Sequence, residues 1–313
     1  MKMKWDDRYC MGIEEFDRDH RQIFQIVERL LERLEDGGIN NPKQRVWILN
    51  EGRRYIQSYW MRHARSEEAY MRKIGYPHFA EHKRAHDAFS NEHLMKWDFT
   101  QNQKECTKEA VFKFLGSEIG WILEHITTMD LAIVGRGYLN NPKVTTLSKE
   151  ILVEQINLLL TATMNMDFQA KIVDDNYRGG HLNNPLFHLI SYKKNDHPLV
   201  LVVGMEKDFI IQSAKNIYEG EVNDYEALII ATMDVFGASF WTSLGTQILD
   251  FQDGLEFVSS RIQTAHHVRD WFEKNEPHLA YLFSTVMGNF CVLSSNLGNT
   301  TGNDSLPHIG LLL

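Results

Sequence analysis

The chain is short of several things that would each have pointed somewhere. It has three cysteines in 313 residues, and Cys10, Cys106 and Cys291 are far apart with no CxxC among them. That excludes a disulfide-stapled fold or a cysteine-based zinc module, and fits the reduced, structural thiols of a cytoplasmic protein. Basic charge is also scarce: 33 Lys+Arg against 42 Asp+Glu leave a net charge of −9. With no basic stripe interleaved with aromatics, nucleic acid is not expected as a partner. No apolar run approaches the roughly 18 residues of a membrane span, so no membrane partner is expected. The opening MKMKWDDRYC is basic but has no apolar stretch behind it, which argues against a secretory signal.

What is abundant is histidine, and it is patterned. Between Arg62 and Phe89 two pairs stand at i,i+4, His63 with Glu67 and His82 with His86. On a helix that spacing puts both side chains on one face, one turn apart. Imidazole with carboxylate suits iron, zinc and manganese. Tyr76-Pro77 between the pairs predicts the end of one helix and the start of the next, running back beside it. Helical apolar steps over about 17–34, 43–74, 77–97 and 107–134 predict an up-down four-helix bundle, with Trp5 and Tyr9 anchoring an N-terminal arm. His20 opens the first helix, and the fourth carries His125 and Asp130. Every helix thus supplies a ligand type, seven in all. That is more than one tetrahedral zinc takes, and enough for two five- or six-coordinate ions with bridging carboxylates. His125 and Asp130 are five apart, about 140° around an α-helix, so spacing alone does not nominate Asp130. Any one of these histidines fits a surface or packed residue, and His78 and His93 are read so. The ordered set does not.

The stretches GIEEFDRDH, HARSEEAYM, YPHFAEHKRAH and WILEHITTMD resemble the bacterial hemerythrin-like domains over residues 1–135. The resemblance implies a non-haem di-iron site, oxo- or hydroxo-bridged. His20 and His63 would hold one iron, His82, His86 and His125 the other, and Glu67 and Asp130 would bridge. One departure is Ala64, where the family often has an aromatic. Two Fe(II) ions can each give an electron to dioxygen, and one iron keeps a vacant place. A site with only two carboxylates favours reversible binding over oxygenase work. Trp121, one turn before His125, and Ile126 are candidates for an apolar dioxygen pocket. For Ile122 and Leu123 plain core packing is the simpler reading.

A linker follows at 136–147, with Gly137, Asn140-Asn141 and Pro142, and then a second domain over 148–300 with a tail at 301–313. Its expected order is a helix at 151–164 capped by Ser148, a β-like stretch at 168–173, strands at 186–193 and 199–205, and a helix at 209–218. A long helix at 224–248, another helix at 254–273 and a terminal hairpin around Gly288 complete it. This α+β order resembles the CheX-like chemotaxis family, related to the CheC phosphatases. Those phosphatases carry an E-x-x-N pair on the long helix; here Asp234 or Met233 falls at the Asn place and Ala231 or Ile230 at the Glu place. No phosphatase activity is therefore expected, nor enzyme activity in general. His266-His267 diverge on a helix and read as surface. The chain reads as a dioxygen-binding sensor coupled to a chemotaxis-type signalling module, with a signalling protein as partner and a homodimer through apolar strand edges allowed. The alternatives are a carrier, scavenger or iron store, and a redox enzyme acting on peroxide or nitric oxide.

Overall fold

The computed structural model describes residues 1–95, 105–141, 144, 147–164, 166, 168–194, 197–220, 225–249, 255–263, 265–274 and 277–295. In chain order, a short strand β1 (Lys2–Met3) precedes helices α1 (Glu14–Glu35), α2 (Pro42–Ile74), α3 (Phe79–Ala88), α4 (Lys108–His125) and the single turn α5 (Leu131–Ile133). Then come α6 (Lys149–Met164), β2 (Lys171–Asp174), β3 (Leu186–Lys194), β4 (His197–Met205), α7 (Lys207–Ala214), β5 (Tyr218–Glu219) and α8 (Glu226–Leu249). β6 (Leu255–Gln263), α9 (Ala265–Lys274), β7 (Leu279–Thr285) and β8 (Gly288–Ser294) close the described chain. The polar break at 100–103 and the tail lie outside the described residues.

Two compact units result: Met1–Asn141 with 162–164 and 213–236, and 142–161 with 165–212 and 237–313. The first is the expected helical bundle. Local chemistry sets its helix ends. Asn41 caps α2 through the Lys43 amide with Pro42 at the first helical position, and Gly75 ends the same helix at φ +66°. Thr107 caps α4 through the Ala110 amide. α1 buries the stripe Ile23, Ile26, Val27, Leu30, Leu31 and Leu34, the helical steps that its sequence shows.

The second unit is sheet-rich α+β. Its six antiparallel strands run β2-β7-β8-β4-β3-β6. One face holds a core of Phe187, Leu189, Val200, Val202, Leu282, Cys291 and Leu293, with Val268 of α9 against it. The Ser148 cap is present, its hydroxyl accepting from the Ile151 amide at 3.2 Å. Two expectations need correcting. Residues 255–263 are a strand and not the start of a helix, because β3 offers them a free edge over nearly its whole length. The helix expected to reach Tyr218 stops at Ala214, and Tyr218 pairs with Met3 in a two-stranded ribbon. Glu226–Ile248 is long and apolar enough to cross a membrane by length and composition. Yet Leu228, Ile229, Met233, Phe236, Phe240, Trp241, Leu244 and Ile248 are buried, as in the core helix of a packed protein.

Candidate metal centre

Each bundle helix carries its chemistry to one point. α1 brings His20; α2 brings His63 and Glu67 one turn apart; α3 brings His82 and His86 one turn apart. α4 ends at His125, and a π-turn over Ile126–Asp130 follows it directly. That turn is why two residues five apart share a face: its wider winding closes Leu131 N–H onto the Ile126 carbonyl. The hydroxyls of Thr127 and Thr128 donate back to the carbonyls of Leu123 and Glu124, both at 2.8 Å, and support the wide turn from inside. None of the seven ligand-type residues is more than 2% exposed.

They fall into two groups sharing one residue. Glu67, His82, His86, His125 and Asp130 form one, and His20, His63 and Asp130 the other. Asp130 faces each with a different oxygen: Oδ1 lies 3.0 Å from His125 Nε2 and 3.3 Å from His82 Nε2, while Oδ2 lies 3.2 Å from His20 Nε2. Glu67 Oε2 stands 3.2 Å from His82 Nε2, 3.3 Å from His86 Nε2 and 3.9 Å from His63 Nε2. Nε2 of His20 and His63 and all four carboxylate oxygens of Glu67 and Asp130 are buried without a hydrogen bond of proper geometry. Buried polar atoms of this kind are costly unless a partner satisfies them. Nε2 of His82 and of His86 each stand 3.1 Å from His125 Nε2, and this crowding of lone pairs around shared points fits metal ions.

The electrostatics agree. Burial disfavours the charge on Glu67, but the imidazoles of His82 and His86 outweigh it and hold the carboxyl at about 2. Burial also opposes a charged His82, yet Asp130 and Glu67 raise it to about 10. At His125 burial prevails and lowers it to about 4, which favours the neutral, ligating form. Asp130 is held well below the usual carboxylate range against its burial, chiefly by His125, His20 and His82.

Three neighbours were not anticipated. Trp60, one turn before His63, sets its ring 5.6 Å from His63, 5.0 Å from His86 and 5.3 Å from His125, and so borders both groups. Glu68 Oε1 lies 3.4 Å from His86 Nδ1, and Asp19 Oδ2 lies 3.8 Å from His63 Nδ1. A carboxylate hydrogen-bonded behind an imidazole orients the ring; Glu68 reaches His86 so, while Asp19 stands farther from His63 as a charge. Their only sequence signal was adjacency, since Asp19 precedes His20 and Glu68 follows Glu67. Trp121 stacks on His125 at 4.5 Å and 14°, and Phe89 stacks on Trp121 at 3.8 Å. Ile126 is buried. His78 is exposed at 67% and outside the cluster; the side chain of His93 is outside the described residues.

Residues 11–136 match the family model described as the hemerythrin HHE cation binding domain. A bacteriohemerythrin from Clostridium acetobutylicum is 27% identical over 131 residues, 40% of this chain and 94% of that protein. The hemerythrin subunit alpha of Lingula anatina is 26% identical over 132 residues, 42% of this chain and 92% of its own length. For the remainder, a CheC-like superfamily protein from Shewanella sp. PV-4 superposes with a TM-score of 0.33 at 12% identity, covering 46% of this chain and 93% of that one. Residues 11–136 therefore carry a hemerythrin HHE domain, with a buried His/Glu/Asp cluster able to hold metal at its centre.

Proposed function

We propose that the bundle holds two non-haem irons and binds dioxygen reversibly, and that the chain is a sensor passing that state to its second half. One observation carries the two-metal reading: Asp130 points one oxygen into each of two buried histidine groups. His20 and His63 would hold one ion and His82, His86 and His125 the other, with Glu67 and Asp130 shared. When bound, a pair of ferrous ions supplies the two electrons that dioxygen needs. The protein's part is to place five imidazoles, keep the charge low with only two carboxylates, and exclude water. Trp121, stacked on His125, and Ile126 form the apolar wall on the α4 side. Trp60 adds a further apolar ring, bordering ligands of both groups.

Two carboxylates favour binding over oxygenase chemistry, and α8 has no E-x-x-N pair, so the reading is a binding protein whose partner is a chemotaxis-type signalling protein. A carrier or store is the second reading; a reductant-driven enzyme acting on peroxide or nitric oxide is the third. Metal analysis with an ultraviolet–visible spectrum, followed by dioxygen and argon cycling of the reduced protein, tests all three. Two irons per chain and reversible spectra are expected. A lone zinc would overturn the di-iron reading, and irreversible conversion with substrate turnover would favour the enzyme.

A further inference from the structure

We infer that residues 213–236, far along the chain from the ligands, are the element through which the state of the metal centre is read. This deepens the sensor reading and rests on it. Two separate attachments, each from a ligand-bearing helix, land on this segment.

The first is α4. Gly116 and Gly120 stand one turn apart and touch the first half of α8 backbone to backbone. A Cβ on Gly116 would come within 2.6 Å of Ala231 Cβ, 2.7 Å of the Leu228 carbonyl and 2.8 Å of the Thr232 amide. On Gly120 it would come within 2.5 Å of the Thr232 carbonyl. No side chain lies between to absorb a shift by changing rotamer, so a displacement of α4 is carried into α8. The same helix ends in His125 and runs into the π-turn that delivers Asp130.

The second attachment comes from α1. Phe24, one turn after His20, packs against Trp5 and Tyr9 of the N-terminal arm at 4.9 and 5.3 Å. That arm pairs with β5 through Lys2↔Glu219 and Met3↔Tyr218, and the Lys4 amide donates to the Ile217 carbonyl at 2.8 Å. The two attachments meet in one buried hydrogen bond, Tyr218 Oη to Thr232 Oγ1 at 2.6 Å. His20 of one metal group and His125 of the other thus each reach residues 213–236 through a short chain of packed atoms. A ligand-driven change in either helix biases the same segment.

Hydrogen exchange of the full chain, read on peptides within 213–236, tests this in metal-free, reduced anaerobic and oxygenated protein. Exchange in that segment should differ between the last two by about fivefold or more, the lower end of ordinary coupling. Gly116→Ala, which forces the helices apart, and Thr232→Val, which keeps the volume and removes the Tyr218 bond, should shrink the difference. By reciprocity each should also shift dioxygen affinity at unchanged iron content. A chain that takes up no iron overturns the proposed function itself. A chain that binds iron and dioxygen while 213–236 exchanges identically in both states overturns this inference alone, as does a difference that survives both variants undiminished.

Discussion

Asp130 is the residue on which the two-metal arrangement turns, because it falls in both ligand groups and turns a different oxygen toward each. Asp130→Asn leaves a neutral side chain facing five imidazoles and should lose most of both metals. His63→Ala should lose chiefly one, and Glu67→Ala should lower the iron count. Metal-to-protein ratios after anaerobic loading check the ranking, and equal losses in Asp130→Asn and His63→Ala would contradict it. His82 contributes to the pH dependence of the metal-free chain. Its pKa is about 10 when folded, against 6.5 as the ordinary value. A raised histidine pKa means that its contribution to stability is full below about 6.5 and is lost as the pH climbs through about 10. The metal needs the neutral ring, so loading releases that proton. Cobalt(II) affinity, used as a probe, should therefore rise by about tenfold per pH unit between 7 and 9, with one proton released per chain from this site in a weakly buffered titration. The i,i+4 pairs at this scale were legible in sequence. Asp19, Glu68 and Trp60 were not, because nothing in their own spacing shows which side of a ligand ring they stand behind.

Among elements, the π-turn over Ile126–Asp130 is what makes a five-residue interval behave as one helical turn. Deleting one residue between 126 and 129 should turn it into an ordinary α-turn with His125 and the aspartate at i,i+4, still on one face, so metal binding should survive. Inserting one residue separates them by six and should abolish it. Metal content with helical circular dichroism distinguishes loss of the site from loss of the helix. The bundle helices were readable from apolar periodicity and their caps, to within a few residues at most ends. β6 was not. LEFVSSRIQ becomes a strand because β3 pairs with it from Phe187 to Lys194, a partner more than 60 residues away in the chain. The ribbon of β1 with β5 is invisible for the same reason, since two residues carry no period.

At the scale of the whole molecule, the metal-binding unit is not contained in the first 141 residues, although all seven ligand-type residues lie there. Residues 162–164 and 213–236 are part of it. A chain cut after Asn141 should keep the ligand set yet expose the α4 face at Gly116 and Gly120. It should melt lower than the full chain's metal-binding unit and aggregate on heating. Differential scanning calorimetry and light scattering test this; a truncated chain that is monomeric, equally stable and fully metallated would contradict it.

By itself, the amino-acid sequence determined which side chains share a helical face, where helices begin and end, and that histidines and carboxylates sit on every rod of one bundle. These follow from local geometry, the 3.6-residue turn and the chemistry of caps. The tertiary structure decided which oxygen of Asp130 serves which group, which aromatic borders His86 and His125, and which distant helix rests on two glycines. Each of those is a meeting of residues far apart in the chain, chosen by close packing and by the satisfaction of buried polar atoms, and neither leaves a local period to read.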